Sequence, residues 1–255
     1  MNAGPLAGLG VVLTRPRPQC EEIAAALESR GARILVFPAL DIVPVAPDAA
    51  SRAALESLAS ASLAIFVSAN AAEHGTAAAR RAGPWPAGTA VAGVGEATAR
   101  RLRAEGFARV IAPAAGFDSD SLLACPELQA VQGRRVVIFR GVGGRERLRT
   151  VLEARGASVA YVECYRRERP ASDPAALLAA LAGGAIDAVH AMSAETVDNF
   201  LSLAGPGADW GRVALVVPHP AIARHPASKA FGRAVVSGHG IENLVEALHE
   251  LRKAT

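Results

Sequence analysis

Lysine is nearly missing from this chain: only Lys229 and Lys253 occur, so almost all of the 27 basic residues are arginines, balanced by 24 acidic ones to a formal charge of +3. Arginine bias beside an excess of alanine fits a G+C-rich coding sequence. With so small a net charge, no basic stripe and no recognition motif, nucleic acid is not an expected partner. Cysteine is scarce too. Cys20, Cys125 and Cys164 are odd in number, widely spaced and without a CxxC pair, so neither a disulfide framework nor a zinc site is expected. A reducing cytoplasm is the expected location. The opening MNAGPLAGLG has no basic n-region before VVLTRP, which speaks against a secretory signal. No unbroken apolar run reaches the roughly 20 residues that span a bilayer, so a soluble protein with no membrane partner is expected.

Several chemical signatures are absent as well. His74, His190, His219, His225, His239 and His249 form no HxH or HExxH pair, so no metal is expected. No G-x-S-x-G elbow surrounds Ser68 or Ser193, and no His/Asp pairing accompanies them, which speaks against nucleophilic catalysis. GVGEAT (93–98) has Thr98 where a dinucleotide fingerprint needs its third glycine, and no Gly-Lys-Ser/Thr follows, which counts against a nucleotide- or phosphate-binding α/β protein.

What is present is a near-repeat at an offset of 125 residues. Arg15 of VVLTRP answers Arg140 of VVIFRG, ESRGA (28–32) answers EARGA (153–157), and Ser68 of FVSAN answers Ser193 of AMSAE. A period that long is a domain rather than a solenoid unit. At 255 residues and 51% hydrophobic content the chain can fill two cores. Short runs of Val, Leu and Ile (VVL, ILVF, LAIFV, AVAGV, VIAP, VVIF, VAYV, AVHAM, ALVVP, AVVS) read as strands buried on both faces of parallel sheets. Helical patterns lie between them, as in GEATARRLRAEGF with Gly106 as its stop and in a final stripe of Ile241, Leu244, Val245, Leu248 and Leu251. The expected fold class is α/β, two doubly wound parallel-sheet domains related by internal duplication. Duplicated halves commonly hold a ligand at their concave junction. PALDIVPVAPD (38–48) and ECYRRERPASDP (163–174), proline-bearing and extended in character, read as linkers at matching places, whereas composition alone suggests one cut near residue 130.

The candidate site residues cluster at strand-to-helix turns. Gly93, Val94 and Gly95 begin a turn whose amides either close it or bind an anion. In RGVGGRE (140–146), Gly141 and Gly144 let backbone approach a ligand, and Arg140 and Arg145 can fork onto carboxylates or phosphates, while Arg147 reads as solvated. Ser68 and Ser193 read as N-caps whose neighbouring amides face a ligand, and Thr14 beside Arg15 has the same double reading. Asn70 follows Ser68 in the same turn. His190 reads as a core histidine and His219 as opening a turn that matches GVGEAT. Tyr165 falls between strand and linker; its phenol either packs at a hinge or donates a proton to a leaving oxygen.

In the order and spacing of VVLTRP, FPALDIVPV, FVSANAAEHG, VAGVGEATARRLRAEGF, DSDSLL, VVIFRGVGGRERLRTVLEARGASV, ECYRR, MSAETV and PHPAIA…GIENLVEAL, the whole chain resembles the uroporphyrinogen-III synthase family. The resemblance implies two α/β domains, 1–38 with 170–255 and 45–163, joined by a two-stranded linker of 39–44 and 164–169. It further implies a cofactor-free lyase that loses water from hydroxymethylbilane and closes it with ring D inverted, in a cleft between the domains; nothing in the sequence demands more than a monomer. Tyr165 then matches the tyrosine that assists departure of the hydroxyl, and Thr14, Arg15, Ser68, Asn70, Gly93, Val94, Gly95, Arg140, Gly141, Gly144, Arg145, Ser193 and His219 bind the carboxylate-rich substrate. Transient contact with the preceding pathway enzyme is implied too. HPAIA (219–223) departs from a Gly-x-Thr-Ala-like turn of the family, with His219 as the group that compensates. A non-catalytic tetrapyrrole- or anion-binding protein of the same architecture is the alternative.

Overall fold

The computed structural model describes residues 4–116 and 118–253. Ten strands among them are β1 (Gly10–Leu13), β2 (Arg33–Val36), β3 (Asp41–Pro44), β4 (Leu63–Phe66), β5 (Ala90–Gly93), β6 (Arg135–Gly141), β7 (Ser158–Glu168), β8 (Ala188–His190), β9 (Ala214–Val217) and β10 (Arg233–Val236). They make two five-stranded sheets, ordered β10-β9-β8-β1-β2 and β3-β7-β6-β4-β5. The ladder of β1 with β2, that of β4 with β6 and that of β6 with β7 are all parallel. The chain divides into two compact units, Met1–Asp41 with Glu168–Thr255, and Ile42–Arg167. No division falls near residue 130, because β6 pairs with β4 on its N-terminal side.

Period-2 alternation explains why each sheet is covered on both faces. In β1, Val11 and Leu13 join one apolar cluster with Leu27, Leu244 and Leu248, while Val12 joins the other with Leu177, Phe200 and Trp210. In β6, Val137 and Phe139 pack with Phe66 and Leu102, and Val136 and Ile138 pack with Leu122, Leu148 and Leu152. Phe66 and Phe139 stack at 4.5 Å between centroids. The helix Ala69–Ala82 approaches that pair so closely that a Cβ on Gly75 would lie 2.7 Å from Phe139 Cδ1. The last helix, Ile241–Lys253, buries Leu244, Leu248 and Leu251 as its stripe foretells.

One expectation needs correcting. VIAP (110–113) forms no strand; only Ile111 makes an isolated bridge, to Ala92, and Pro113 has no N–H with which to extend a ladder. Of the segments 39–44 and 164–169, expected as a two-stranded linker, Asp41–Pro44 and 164–168 belong to β3 and β7, neighbours in the second sheet. Val45 N–H donates to the Cys164 carbonyl at 3.2 Å, so the extended backbone of these segments is taken up in pairing.

Candidate active site

A bulge in β7 builds the centre of the site. Arg140 faces Glu163 in the β6–β7 register, but Gly141 faces Tyr165, so one residue is skipped. Strict alternation would send Tyr165 to the opposite face from Cys164; the extra residue leaves both in one apolar cluster, beneath the helix Ala69–Ala82. Tyr165, expected to project from a linker, is therefore only 3% exposed. Its hydroxyl lies 3.1 Å from Ser68 Oγ, which also accepts the Ala71 N–H at 3.0 Å as the helix N-cap. The His74 ring stands 6.0 Å from the phenol ring, and Asn70, half-buried in the same helix, is also engaged. Gly141 leaves room for the ring: a Cβ there would lie 2.8 Å from Tyr165 Cζ.

Arg140 departs from expectation. It is 8% exposed, and internal acceptors use its donors. Nε and Nη2 donate to Glu163 Oε1 at 3.2 and 2.9 Å, while Nη1 donates to Glu146 Oε1 at 2.7 Å and to the Gly144 carbonyl at 3.2 Å. Its guanidinium carbon sits 3.7 Å from the Tyr161 ring centroid, and Arg149 is placed similarly at 3.9 Å. Burial would lower the pKa of Arg140, but the hydrogen bonds it donates to Glu146 and Glu163 outweigh it and raise the value. Burial first, and then the hydrogen bond to Glu146 at 2.9 Å, push the Tyr161 phenol up to about 12. An arginine so committed is a structural clamp on the glycine turn. Arg140→Ala should therefore lower stability by roughly 1.5–3 kcal/mol, the worth of hydrogen bonds to charged groups. Thermal unfolding checks this, and an unchanged midpoint would return Arg140 to ligand binding. Sequence reasoning missed Glu146, Tyr161 and Glu163 because their link to Arg140 runs through a turn and a neighbouring strand.

The remaining turns separate into occupied and open ones. Gly93 N–H donates to the Ile111 carbonyl at 2.9 Å and Val94 N–H to the Phe66 carbonyl at 3.1 Å, so these two amides serve the fold rather than an anion. Gly95 caps the helix Glu96–Ala104 without a side chain. Ser193 Oγ accepts the Thr196 N–H at 3.1 Å. His219 Nδ1 accepts the Ala221 N–H at 3.1 Å, doing for the short helix Pro220–Ala223 what a hydroxyl does elsewhere. Arg145 is exposed. At the end of β1, buried Thr14 donates Oγ1–H to the His190 carbonyl at 2.7 Å, and Arg15 reaches Gln19 Oε1 at 3.3 and 3.0 Å. Among the described residues no helix is long and apolar enough to cross a membrane, and no group of three His, Cys, Asp or Glu could hold a metal ion.

The family model described as uroporphyrinogen-III synthase HemD matches residues 21–246. The chain belongs to the uroporphyrinogen-III synthase family. The uroporphyrinogen-III synthase of Salmonella typhimurium is 34% identical over 162 residues, 62% of this chain and 65% of that protein. Its Synechococcus elongatus namesake is 32% identical over 215 residues, 82% and 81% of the two chains. The match spans just under two thirds, 65%, of the Salmonella and Escherichia coli relatives. A mutant uroporphyrinogen III synthase from the extremely thermophilic bacterium Thermus thermophilus superposes with a TM-score of 0.61 at 19% identity, covering 97% of this chain and 100% of that one. The Helicobacter pylori enzyme gives 0.59 at 12% identity, covering 96% and 100%. At such identities the likeness is one of fold.

Proposed function

We propose that this protein is a cofactor-independent lyase that closes hydroxymethylbilane to uroporphyrinogen III, with loss of water and inversion of ring D. The observation that carries the proposal is the Tyr165 phenol, buried against Ser68 Oγ at 3.1 Å, in a chain of this family. Ser68 Oγ already accepts the Ala71 N–H, so its own hydrogen is available to the Tyr165 oxygen. With that bond donated by Ser68, the phenol hydrogen is left for the departing hydroxyl. The C–O bond breaks, hydroxide leaves with the Tyr165 proton as water, and the pyrrole N–H proton passes to the phenolate, which restores Tyr165 and gives an electrophilic azafulvene. The substituted carbon of ring D attacks it, and the spiro intermediate fragments and recloses. Reclosure releases a ring C–H proton as the azafulvene nitrogen takes one back, so the net change is loss of one water. Burial keeps bulk water from the phenol and from an intermediate that water would trap.

The substrate carries two carboxylates per pyrrole and closes unaided to the uninverted isomer, so the protein's task is chiefly to hold one geometry. The proposed carboxylate donors lie at strand ends: Thr14, Arg15, Ser68, Asn70, Gly95, Gly141, Gly144, Arg145, Ser193 and His219. Transient contact with the enzyme that releases so labile a substrate belongs to the proposal. The free thiols of Cys20, Cys125 and Cys164 support a cytoplasmic setting.

Internal duplication is also proposed, and strand order supports it. Reading β9-β8-β1-β2 against β5-β4-β6-β7 aligns the two sheets, with β10 beside β9 where Ile111 bridges β5. Leu13 pairs with Val36 as Ile138 pairs with Tyr161, each 125 residues on. The offset falls to 124 at the next strand, where Ala188 pairs with Ala214 as Leu63 does with Ala90. His219 then answers Gly95, both of them helix N-caps.

Following hydroxymethylbilane after rapid mixing tests the activity. Consumption should outpace the spontaneous reaction; consumption at the spontaneous rate with retained binding would favour a tetrapyrrole-binding protein instead.

A further inference from the structure

Closure of the macrocycle leaves one proton transfer without a residue. Tyr165 gives its proton to the departing hydroxide and takes one back from the pyrrole nitrogen, so at reclosure the phenol is protonated and cannot serve as a base. Ser68 Oγ, the polar atom against it, caps its helix and is no base either. Yet reclosure must remove a hydrogen from a carbon of ring D and return one to the azafulvene nitrogen. Once the spiro intermediate has fragmented, ring D is bonded to the carbon that lost its hydroxyl beside the phenol. The hydrogen therefore departs within one pyrrole ring of that place.

His74 stands in reach of it. Its ring centroid lies 6.0 Å from that of the Tyr165 phenol, with 39° between the planes. The helix Ala69–Ala82 sets it there: Ala71, one turn earlier on the same face, accepts Cys164 Sγ–H at 3.9 Å, so this face lies over the end of β7. Ring nitrogens of His219, His225 and His249 are used by Ala221, Asp198 and Pro5. His74 is half-buried, and no hydrogen bond or ion pair with a described residue engages its ring. Charges on the elements around it are committed or turned to solvent. Glu73 pairs with Arg101 of the helix Glu96–Ala104 at 3.5 Å, Arg140 of β6 is closed by its two glutamates, and in the helix Ala49–Glu56 Arg52 donates to the Pro47 carbonyl while Glu56 is exposed. Tyr165 and Cys164 are the titratable groups that β7 brings to this face.

We propose that His74 is a second catalytic residue, the base of reclosure. Its open nitrogen takes the hydrogen of the ring D carbon as that carbon bonds the azafulvene methylene. The C–H electron pair restores the aromatic ring, and the imidazolium then gives the proton to the azafulvene nitrogen. Imidazole is regenerated and no further reactant is consumed. The inference rests on the proposed cyclisation and supplies a residue for its last step.

The test compares wild type with His74→Gln and His74→Ala, using hydroxymethylbilane that carries hydrogen or deuterium at the unsubstituted carbon of ring D and counting type III product alone. His74→Gln should lower kcat about a hundredfold, the scale of one positioned base, with KM little changed. C–H cleavage then becomes the slow step, so the deuterium effect on kcat should rise above that of wild type. Wild-type kcat should fall at acid pH, where an imidazole takes up a proton and is lost as a base, and His74→Gln should lack that limb. Imidazole in the buffer should restore part of the His74→Ala rate, since the position is half-exposed. Thermal midpoints should stay within about 2–4 °C of wild type, because one ring contact is all that goes. A wild-type kcat in His74→Gln would overturn the assignment. So would a lowered kcat with neither a larger isotope effect nor imidazole rescue, which would make His74 a packing neighbour of the phenol. A wild type that forms no type III product would remove the cyclisation itself, and the base with it.

Discussion

Tyr165→Phe should cut the rate of type III formation by about a hundredfold or more, the scale of a positioned general acid. Phenylalanine keeps the ring that packs beside Gly141 and under the helix Ala69–Ala82, so the core around it is preserved. Only the 3.1 Å bond to Ser68 Oγ is lost, and Ser68 still caps its helix through the Ala71 N–H. The stability cost is thus about 1 kcal/mol, or roughly 2–4 °C in the thermal midpoint of a chain this size. Single-turnover isomer analysis beside a melting curve checks both halves. A wild-type rate would remove Tyr165 as the acid, and a collapsed midpoint would make it a packing residue.

Gly141→Ala should be nearly as damaging without touching any polar group. The new methyl would lie 2.8 Å from Tyr165 Cζ, 2.9 Å from Cε2 and 3.1 Å from the hydroxyl oxygen. A ring that is 3% exposed cannot move aside freely, and the Tyr165 carbonyl is held by the Val142 N–H at 2.9 Å. Overpacking of this kind costs about 1–3 kcal/mol. Displacing the phenol by about 1 Å costs on the order of a hundredfold in rate. In the Tyr165→Phe background the same glycine change should add little to the loss of rate, because both act through one group. A Gly141→Ala protein with wild-type turnover would show that the phenol's position is not what the glycine protects. Gly144→Ala is the comparison: its nearest contact is Arg140 Cδ at 3.3 Å, so the neighbour need give by only a few tenths of an ångström.

The layered α/β architecture was legible because its signal is local. Val11, Val12 and Leu13 are all apolar, and alternation alone says that both faces of such a strand are covered. The helix stop at Gly106 and the caps at Ser68 and Ser193 were legible for the same reason. What escaped depends on partners far along the chain. Nothing local says that 41–44 and 164–168 lie beside each other in a sheet; only the family resemblance implied a two-stranded element there. VIAP has a strand's composition, yet Ile111 alone reaches Ala92. The bulge that buries Tyr165 is invisible in ECYRR, since it shows only as a skipped partner between Arg140 and Gly141. The two arginines of the repeat look alike in sequence, and only the arrival of Glu163 from β7 and of Glu146 across the turn separates them. Likewise, the Gly93 and Val94 amides resemble free donors until the fold presents them with the Ile111 and Phe66 carbonyls.

The most direct measurement feeds freshly made hydroxymethylbilane to the purified protein, oxidises the products and separates type I from type III uroporphyrin by chromatography. Predominantly type III is expected, since ring D inverts only when the chain controls closure. Type I alone, formed at the spontaneous rate, would contradict the account.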